Sequence, residues 1–253
     1  MDQVEILPGE QLDDLQCGGA CILQHPGLFR FGTDAVLLQN FARVKARDCV
    51  LDLGTGTGIL PLLLCAHHPL VTVDAVEIQA PCADMARRSV ALNGWQERIH
   101  VYTMDLKDAP EQLGRGKYDL VLCNPPYGRK GSVLLNENPA VAIAKHELMT
   151  DLQTVVASGC AALRNGGRFA LIHQSERFLE LAEALEKQHT PIKRARFIHS
   201  GLQKQSHLVL VEGVKLAKVG CTFLPPLILT DAEGNTSEEV KRIYAGERSL
   251  ENL

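Results

Sequence analysis

Two short stretches of the chain carry residues able to do chemistry. The first is Cys49-Val-Leu-Asp52-Leu-Gly54-Thr-Gly56-Thr-Gly58, where an apolar run enters a glycine turn and a helical pattern leaves it. Glycine lets a backbone pass close to a bound molecule, or take φ values closed to other residues. The turn therefore points to a nucleotide-like ligand. The second is Asn124-Pro125-Pro126-Tyr127, which follows the strand-like run Tyr118–Cys123. The prolines stiffen that loop and remove backbone donors, leaving carbonyls free to accept. The Asn124 side-chain oxygen and the Pro125 carbonyl can then receive both hydrogens of a planar amine, which turns the nitrogen lone pair toward an incoming methyl group. Tyr127 offers a face on which a heteroaromatic ring can stack. A rigid Pro-Pro turn explains part of this, but four suitable residues at a strand end favour chemistry.

Three acids belong with these loops. Glu77 closes the second predicted strand, 23 residues after Gly54, where an acid can accept both ribose hydroxyls of a nucleoside. Asp105, just past the third strand, is either an acceptor for an adenine amine or an ordinary loop aspartate. Asp52 lies inside an apolar strand and needs partners there; the glycine-turn amides or a cationic ligand could supply them. Thr33 and Asp34 precede the apolar run Ala35–Phe41, and either could cap that helix. The same position would let Asp34 touch a ligand.

The elements that must hold these residues alternate plainly from Asp48. Strands are predicted at Cys49–Leu53, Val71–Glu77, Ile99–Tyr102, Tyr118–Cys123, Arg168–His173, Arg194–Ile198 and His207–Val211. Helices are predicted at Ile59–His67, Pro81–Leu92, Leu148–Leu163 and Arg177–His189. The last two strands are joined too tightly for a helical crossover, so that pair must be antiparallel. The expected fold is α/β and Rossmann-like: a seven-stranded, mostly parallel sheet with an antiparallel final hairpin. In strand order 3-2-1-4-5 the first and fourth strands are neighbours, so the glycine turn and the tetrapeptide face one crevice. Residues 1–47 read as a leader packing on the core, with a hairpin from Gln16–Gln24 and Leu28–Phe31. Residues 48–218 form the main domain. Residues 219–253 form a tail whose short helix starts at a Thr236-x-x-Glu239 capping box and stops at Gly246.

Composition narrows the class. The hydrophobic share of 45% and the charged share of 22% are those of a soluble globular protein. No apolar run approaches the length of a membrane span, and Met1-Asp-Gln-Val-Glu lacks a secretory start. The eight cysteines scatter through predicted elements and read as reduced, mostly buried thiols of a cytoplasmic protein. Cys17-Gly-Gly-Ala-Cys21 finds no second pair at metal-binding spacing, so no metal is expected. The net charge of −4 gives no global nucleic-acid signal. Locally, Lys187, Lys193, Arg194, Arg196, Lys204, Lys215 and Lys218 stand against the single acid Glu212, a basic segment compatible with a phosphate backbone.

At these residues the chain resembles the S-adenosylmethionine-dependent methyltransferases of planar amino groups. Leu12-Asp-Asp-Leu15, Phe31-Gly-Thr-Asp34-Ala-Val-Leu-Leu38, Asp52–Gly58, Ala142-Ile-Ala-Lys-His146-Glu147 and Leu224-Pro-Pro-Leu227 together look like the bacterial tRNA1(Val) adenine-N6-methyltransferase family. The resemblance implies S-adenosylmethionine as cofactor, contacted by Asp52, Gly54, Gly56, Gly58, Glu77, Asp105 and Asn124. It also implies methylation of the N6 amine of adenosine 37 in a valine tRNA, held by its anticodon loop; the basic segment offers Lys193, Arg194 and Arg196 as candidate contacts. His146 then reads as packing or substrate contact, because the amine needs no strong base before attack. Three readings compete. Release-factor methyltransferases carry the same tetrapeptide and act on a protein glutamine amide, but look to have a substantial helical domain before the glycine turn, where only 47 residues stand here. A NAD-dependent oxidoreductase is disfavoured because Gly54-x-Gly56-x-Gly58 lacks the pyrophosphate spacing. A non-catalytic RNA-binding module would not need an intact tetrapeptide.

Overall fold

The computed structural model describes residues 4–26, 32–125 and 152–247. The main sheet starts with β3 (Cys49–Leu53), β4 (Thr72–Glu77), β5 (Ile99–Thr103) and β6 (Tyr118–Cys123). It continues with β7 (Leu163–Gln174), β8 (Ile192–Gly201) and β9 (Ser206–Val214). Their order across the sheet is β5-β4-β3-β6-β7-β9-β8. All pair in parallel except β9, which is antiparallel to both β7 and β8. The expected 3-2-1-4-5 order and the antiparallel hairpin are both present. Tail residues add two short strands, β10 (Thr222–Phe223) and β11 (Leu227–Thr230), both parallel to β8. The sheet therefore has nine strands rather than seven.

Helices cover both faces, as a parallel sheet requires. On one face lie α1 (Thr33–Phe41), α2 (Ile59–His67), α3 (Ala80–Leu92) and α7 (Glu238–Tyr244). On the other lie α4 (Ala109–Leu113), α5 (Leu152–Ala162) and α6 (Phe178–Lys187). Helix α2 is apolar nearly all round because it is buried nearly all round; Leu62 and Leu64 have no exposure. Truncating either to Ala would cost about 2–5 kcal/mol. Pro61 is tolerated inside it because the first turn has no carbonyl to receive that amide; the first intrahelical bond runs from Leu62 N to the Gly58 carbonyl (3.1 Å).

The opposite, amino-terminal rim of the sheet is held by ion pairs. Arg168 of β7 reaches Asp48 at 2.7 Å, both side chains nearly buried. On β4, Asp74 accepts from Tyr118 (2.7 Å) and Lys117 (2.6 Å). Removing one partner of a buried pair strands the other charge, so this rim reads as structural.

The flanks differ from expectation in three places. The hairpin pairs β1 (Gln11–Asp14) with β2 (Cys21–Gln24), because Gly18 and Gly19 supply the turn inside the run expected as one arm; Leu28–Phe31 lies outside the described residues. Helix α1 starts from Gly32, so Thr33 and Asp34 occupy its first turn instead of capping it. Helix α7 is capped by Ser237, whose hydroxyl accepts from Val240 N at 3.3 Å. The Thr236 box does not form, since Glu239 turns to Arg196 (2.8 Å).

Candidate cofactor and substrate site

Strand register brings the separate loops together. Leu53 pairs with Val76 on one side and with Cys123 on the other, and Val76 pairs with Tyr102. The next residues along these strands are Gly54, Glu77 and Asn124, so the glycine turn sits between the acid and the tetrapeptide. At about 4.8 Å between strands, Glu77 and Asn124 are separated by roughly 10 Å along the rim. Asp105 lies just beyond β5 on the same rim.

The turn is fastened to its neighbour strand. Gly54 N and Thr55 N both donate to the Val76 carbonyl at 2.9 Å. Gly54, Gly56 and Gly58 have φ of 76°, 58° and 92°, a region that costs other residues about 1–3 kcal/mol. A Cβ on Gly54 would meet no atom within 4 Å, so its backbone faces open space, whereas one on Gly58 would stand 3.1 Å from the Ala86 Cβ of α3. Space beside the first glycine and close helix approach at the last are what a ligand-cradling turn requires.

Glu77 is 4% exposed. Its carboxylate accepts from Gly56 N (2.9 Å) and Gln79 N (2.8 Å), which ties the turn to the start of α3. Each oxygen keeps a lone pair. Asp105 accepts from Lys107 N at 3.0 Å and pairs with the Lys107 ammonium at 2.9 Å. Burial pushes its carboxyl up, but the Lys107 side chain and amide outweigh this and hold it below the usual range. Asp34 stands in the first turn of α1, which packs on α2.

Asp52 has no exposure, and neither carboxylate oxygen has a hydrogen-bond partner; the hydroxyl of the buried Thr55 is equally unpartnered. Burial raises the Asp52 carboxyl to about 7, and the Glu77 charge adds to the rise. The expected turn amides do not reach Asp52, because Gly54 and Thr55 give theirs to Val76 and Gly56 gives its own to Glu77. A buried carboxylate without a donor calls for a partner from outside the chain.

On the substrate side, Asn124 is half-buried and Pro125 buried at the end of β6. Pro126, Tyr127, Lys145, His146 and Glu147 lie outside the described residues. Three residues escaped the sequence reading. Thr55 was legible only as the residue between two glycines. The Cys123 thiol, expected only as one of the buried cysteines, donates to the Leu53 carbonyl at 3.2 Å. His173 lies two residues beyond Leu171, the partner of Cys123. Its Nδ1 accepts from Gln174 N at 2.8 Å, and burial, with Arg177 nearby, lowers its pKa and favours neutral imidazole.

The two arginines of the basic segment do not face solvent. Arg194 and Arg196 are 6% and 3% exposed. Arg194 pairs with the buried Glu212 (3.1 Å) and donates to the Phe41 carbonyl (2.8 Å). Arg196 binds Glu239 and the Pro225 carbonyl. Strand alternation points both inward, so neither is available to RNA. Lys215 likewise donates to the Cys160 and Leu163 carbonyls.

The methyltransferase small domain family matches residues 21–198. This chain belongs to that family. Several bacterial proteins named tRNA1(Val) (adenine(37)-N6)-methyltransferase are similar to it. That of Cronobacter sakazakii is 33% identical over 144 residues, 56% of this chain and 58% of the relative. That of Salmonella typhi is 36% identical over 145 residues, again 56% and 58%. That of Tolumonas auensis is 32% identical over 161 residues, 61% and 65%. The chain thus spans less than two thirds of the length of these relatives. Among solved structures, a predicted O-methyltransferase from Agrobacterium tumefaciens superposes with a TM-score of 0.69 at 22% identity, covering 85% of this chain and 96% of that one. The Thermus thermophilus 16S rRNA N2 G1207 methyltransferase, in complex with AdoMet and guanosine, gives 0.57 at 20% identity, covering 83% and 52%. The fold is that of Rossmann-like methyltransferases, and the family's cofactor is S-adenosylmethionine. The site fits that cofactor: an open glycine turn, a buried acid with spare lone pairs, and a donorless carboxylate suited to a cation. Among the described residues no helix is long and apolar enough to cross a membrane.

Proposed function

We propose that this methyltransferase acts on the exocyclic N6 amine of an unpaired adenosine in tRNA, at position 37 of a valine tRNA. The observation that carries the reading is the row Val76–Leu53–Cys123, which sets Asn124 one strand from the glycine turn. S-adenosylmethionine, when bound, supplies an electrophilic methyl group. Gly54, Gly56 and Gly58 give it room, Glu77 accepts from its ribose, and Asp34 and Asp105 complete its surroundings. Asn124 and the Pro125 carbonyl take the two amine hydrogens, and Tyr127 stacks on the base. The amine's surplus proton leaves after transfer, so no strong base is needed. An adenine beside an anticodon is already in a loop, and drawing it out costs less than opening a duplex.

The names of the relatives support adenosine over the amide of a protein glutamine, which offers a similar planar amine. Nucleoside mass spectrometry of an unmodified valine tRNA, after incubation with protein and S-adenosylmethionine, tests the reading. N6-methyladenosine at one site is the expected product. Unchanged tRNA, or methyl transfer to a protein glutamine, overturns it.

A further inference from the structure

Three phenylalanines far apart in sequence meet on the α6 face of the sheet, at its β8 edge. Phe197 of β8 and Phe223 of β10 lie nearly parallel, with ring centroids 6.3 Å apart and planes at 11°. Phe178, at the start of α6, tilts against both at 5.4 and 6.0 Å. The inner rings are partly covered, but Phe223 is 59% exposed, a large area for an aromatic side chain with no structural need to face water.

The register ties this cluster to the active rim. Cys123, which precedes Asn124, pairs with Leu171, Leu171 with Val211, Val211 with Ala195, and Ala195 with Phe223. Four of these five residues belong to the core on the α5 and α6 side. Phe223 therefore lies at the end of the row that starts beside the tetrapeptide, roughly 19 Å away at about 4.8 Å per strand. A few unpaired nucleotides span that distance.

The charge around it suits a phosphate chain. Lys193, at the bulge between Ile192 and Arg194, reaches the Lys218 carbonyl at 2.9 Å, which sets two lysines at the edge strand. Residues 213–230 contain no acid, and Lys218 among them is exposed. Beside Phe178, Glu180 is paired with Arg177 (2.5 Å) and Glu183 with Lys187 (2.7 Å), and Glu176 stands in the same segment. A ring face beside cations on an edge is how sequence-tolerant single-stranded RNA binding is built.

We propose that the Phe178–Phe197–Phe223 cluster is a second RNA contact, on which Phe223 stacks an unpaired base of the tRNA whose adenosine occupies the site at Asn124. The inference rests on the tRNA reading above and adds a platform to it. Loss of one base stack weakens binding by about 5- to 160-fold, and the ring face rather than apolar area produces the effect.

The test uses the full chain, an unmodified valine tRNA transcript and S-adenosylmethionine. Phe223→Ala and Phe223→Leu should both weaken tRNA binding into that range, while Phe223→Trp retains it and its added fluorescence is quenched by the tRNA. Calorimetric affinity for S-adenosylmethionine should match the parent in all three, which shows that they fold. If the parent binds and methylates tRNA while Phe223→Ala binds as well as the parent, the platform is overturned and the function stands. Parent-like binding by Phe223→Leu overturns stacking, and self-association of the parent that Phe223→Ala abolishes makes the patch an interface between copies. A parent that neither binds nor methylates tRNA overturns the tRNA reading and the platform with it.

Discussion

Replacing Asp52 by Asn isolates the least ordinary group in the protein. The Asp52 carboxyl titrates at about 7 in the folded chain, chiefly through burial, against an ordinary value of 3.8. Because the folded value is the higher one, the neutral acid contributes its full stability below the unfolded value, and that contribution is lost as the pH rises through the folded one. The loss amounts to about 1.4 kcal/mol per pH unit, or roughly 4 kcal/mol over the whole window. Asp105 and Asp119 work in the opposite sense, their basic and amide partners outweighing burial, and Glu10 is lowered mainly by Arg88. All three persist in the variant and cancel in the difference. Urea unfolding of cofactor-free parent and Asp52→Asn from pH 4.5 to 8 should show the variant gaining on the parent by that slope up to about pH 7, then a plateau. A cationic cofactor restores the carboxylate, so its binding below pH 7 should release close to one proton from the parent and none from the variant. Calorimetry in two buffers of unlike ionisation enthalpy measures this. A stability difference that stays flat with pH would mean that Asp52 has a donor in solution, and the argument for its role at the cofactor would fail.

Three further outcomes follow from the same geometry. Glu77→Ala should lower S-adenosylmethionine affinity at least tenfold, since each charged hydrogen bond lost is worth about 1.5–3 kcal/mol; calorimetric affinity equal to the parent's would take Glu77 out of the site. Arg194→Ala should cost up to about 3–5 kcal/mol by leaving the buried Glu212 with only the Arg43 amide (3.1 Å) and the Arg43 side chain at 4.0 Å, while the folded fraction binds tRNA as the parent does, and weaker tRNA binding at unchanged thermal stability would contradict that burial. Asn124→Ala frees the amine to rotate and should slow single-turnover methyl transfer about 100-fold or more; a parent-like rate would remove Asn124 from catalysis.

The central fold was legible because its residues obey local rules without compromise. The runs Cys49–Leu53, Ile59–His67 and Tyr118–Cys123 appear in the structure with the bounds their patterns predict. Each is a buried apolar run closed by a glycine, a histidine or an Asn-Pro, and a run buried on all sides has no competing conformation to hide. The flanks were harder because their signals are weak and compete. Glu239 can cap a helix or pair with Arg196; a buried arginine gains more from a carboxylate than an exposed helix end does, so the pair forms and Ser237 caps instead. Strand β10 has two residues, Thr222 and Phe223, too short for any alternation, and it exists only because the edge of β8 offers its unpaired amides.

The arginines of the basic segment fail as a surface for a reason that reaches beyond this chain. A count of charges along a strand cannot tell which face they occupy, and period-two alternation sends Arg194 and Arg196 to the same side. Two like charges on one buried face need two acids from elsewhere. Glu212 comes from the paired strand β9, and Glu239 from a helix more than forty residues away in sequence. Arg194 therefore clamps β8 to β9, and Arg196 clamps it to the tail at Pro225 and Glu239. The aromatic edge depends on the backbone pairing beside them: Phe223 meets Phe197 while residues 222–223 stay paired with Arg194 and Ala195. Electrostatics read as RNA binding in the sequence acts one step removed, by bracing β8, the strand beside the one that carries the exposed ring.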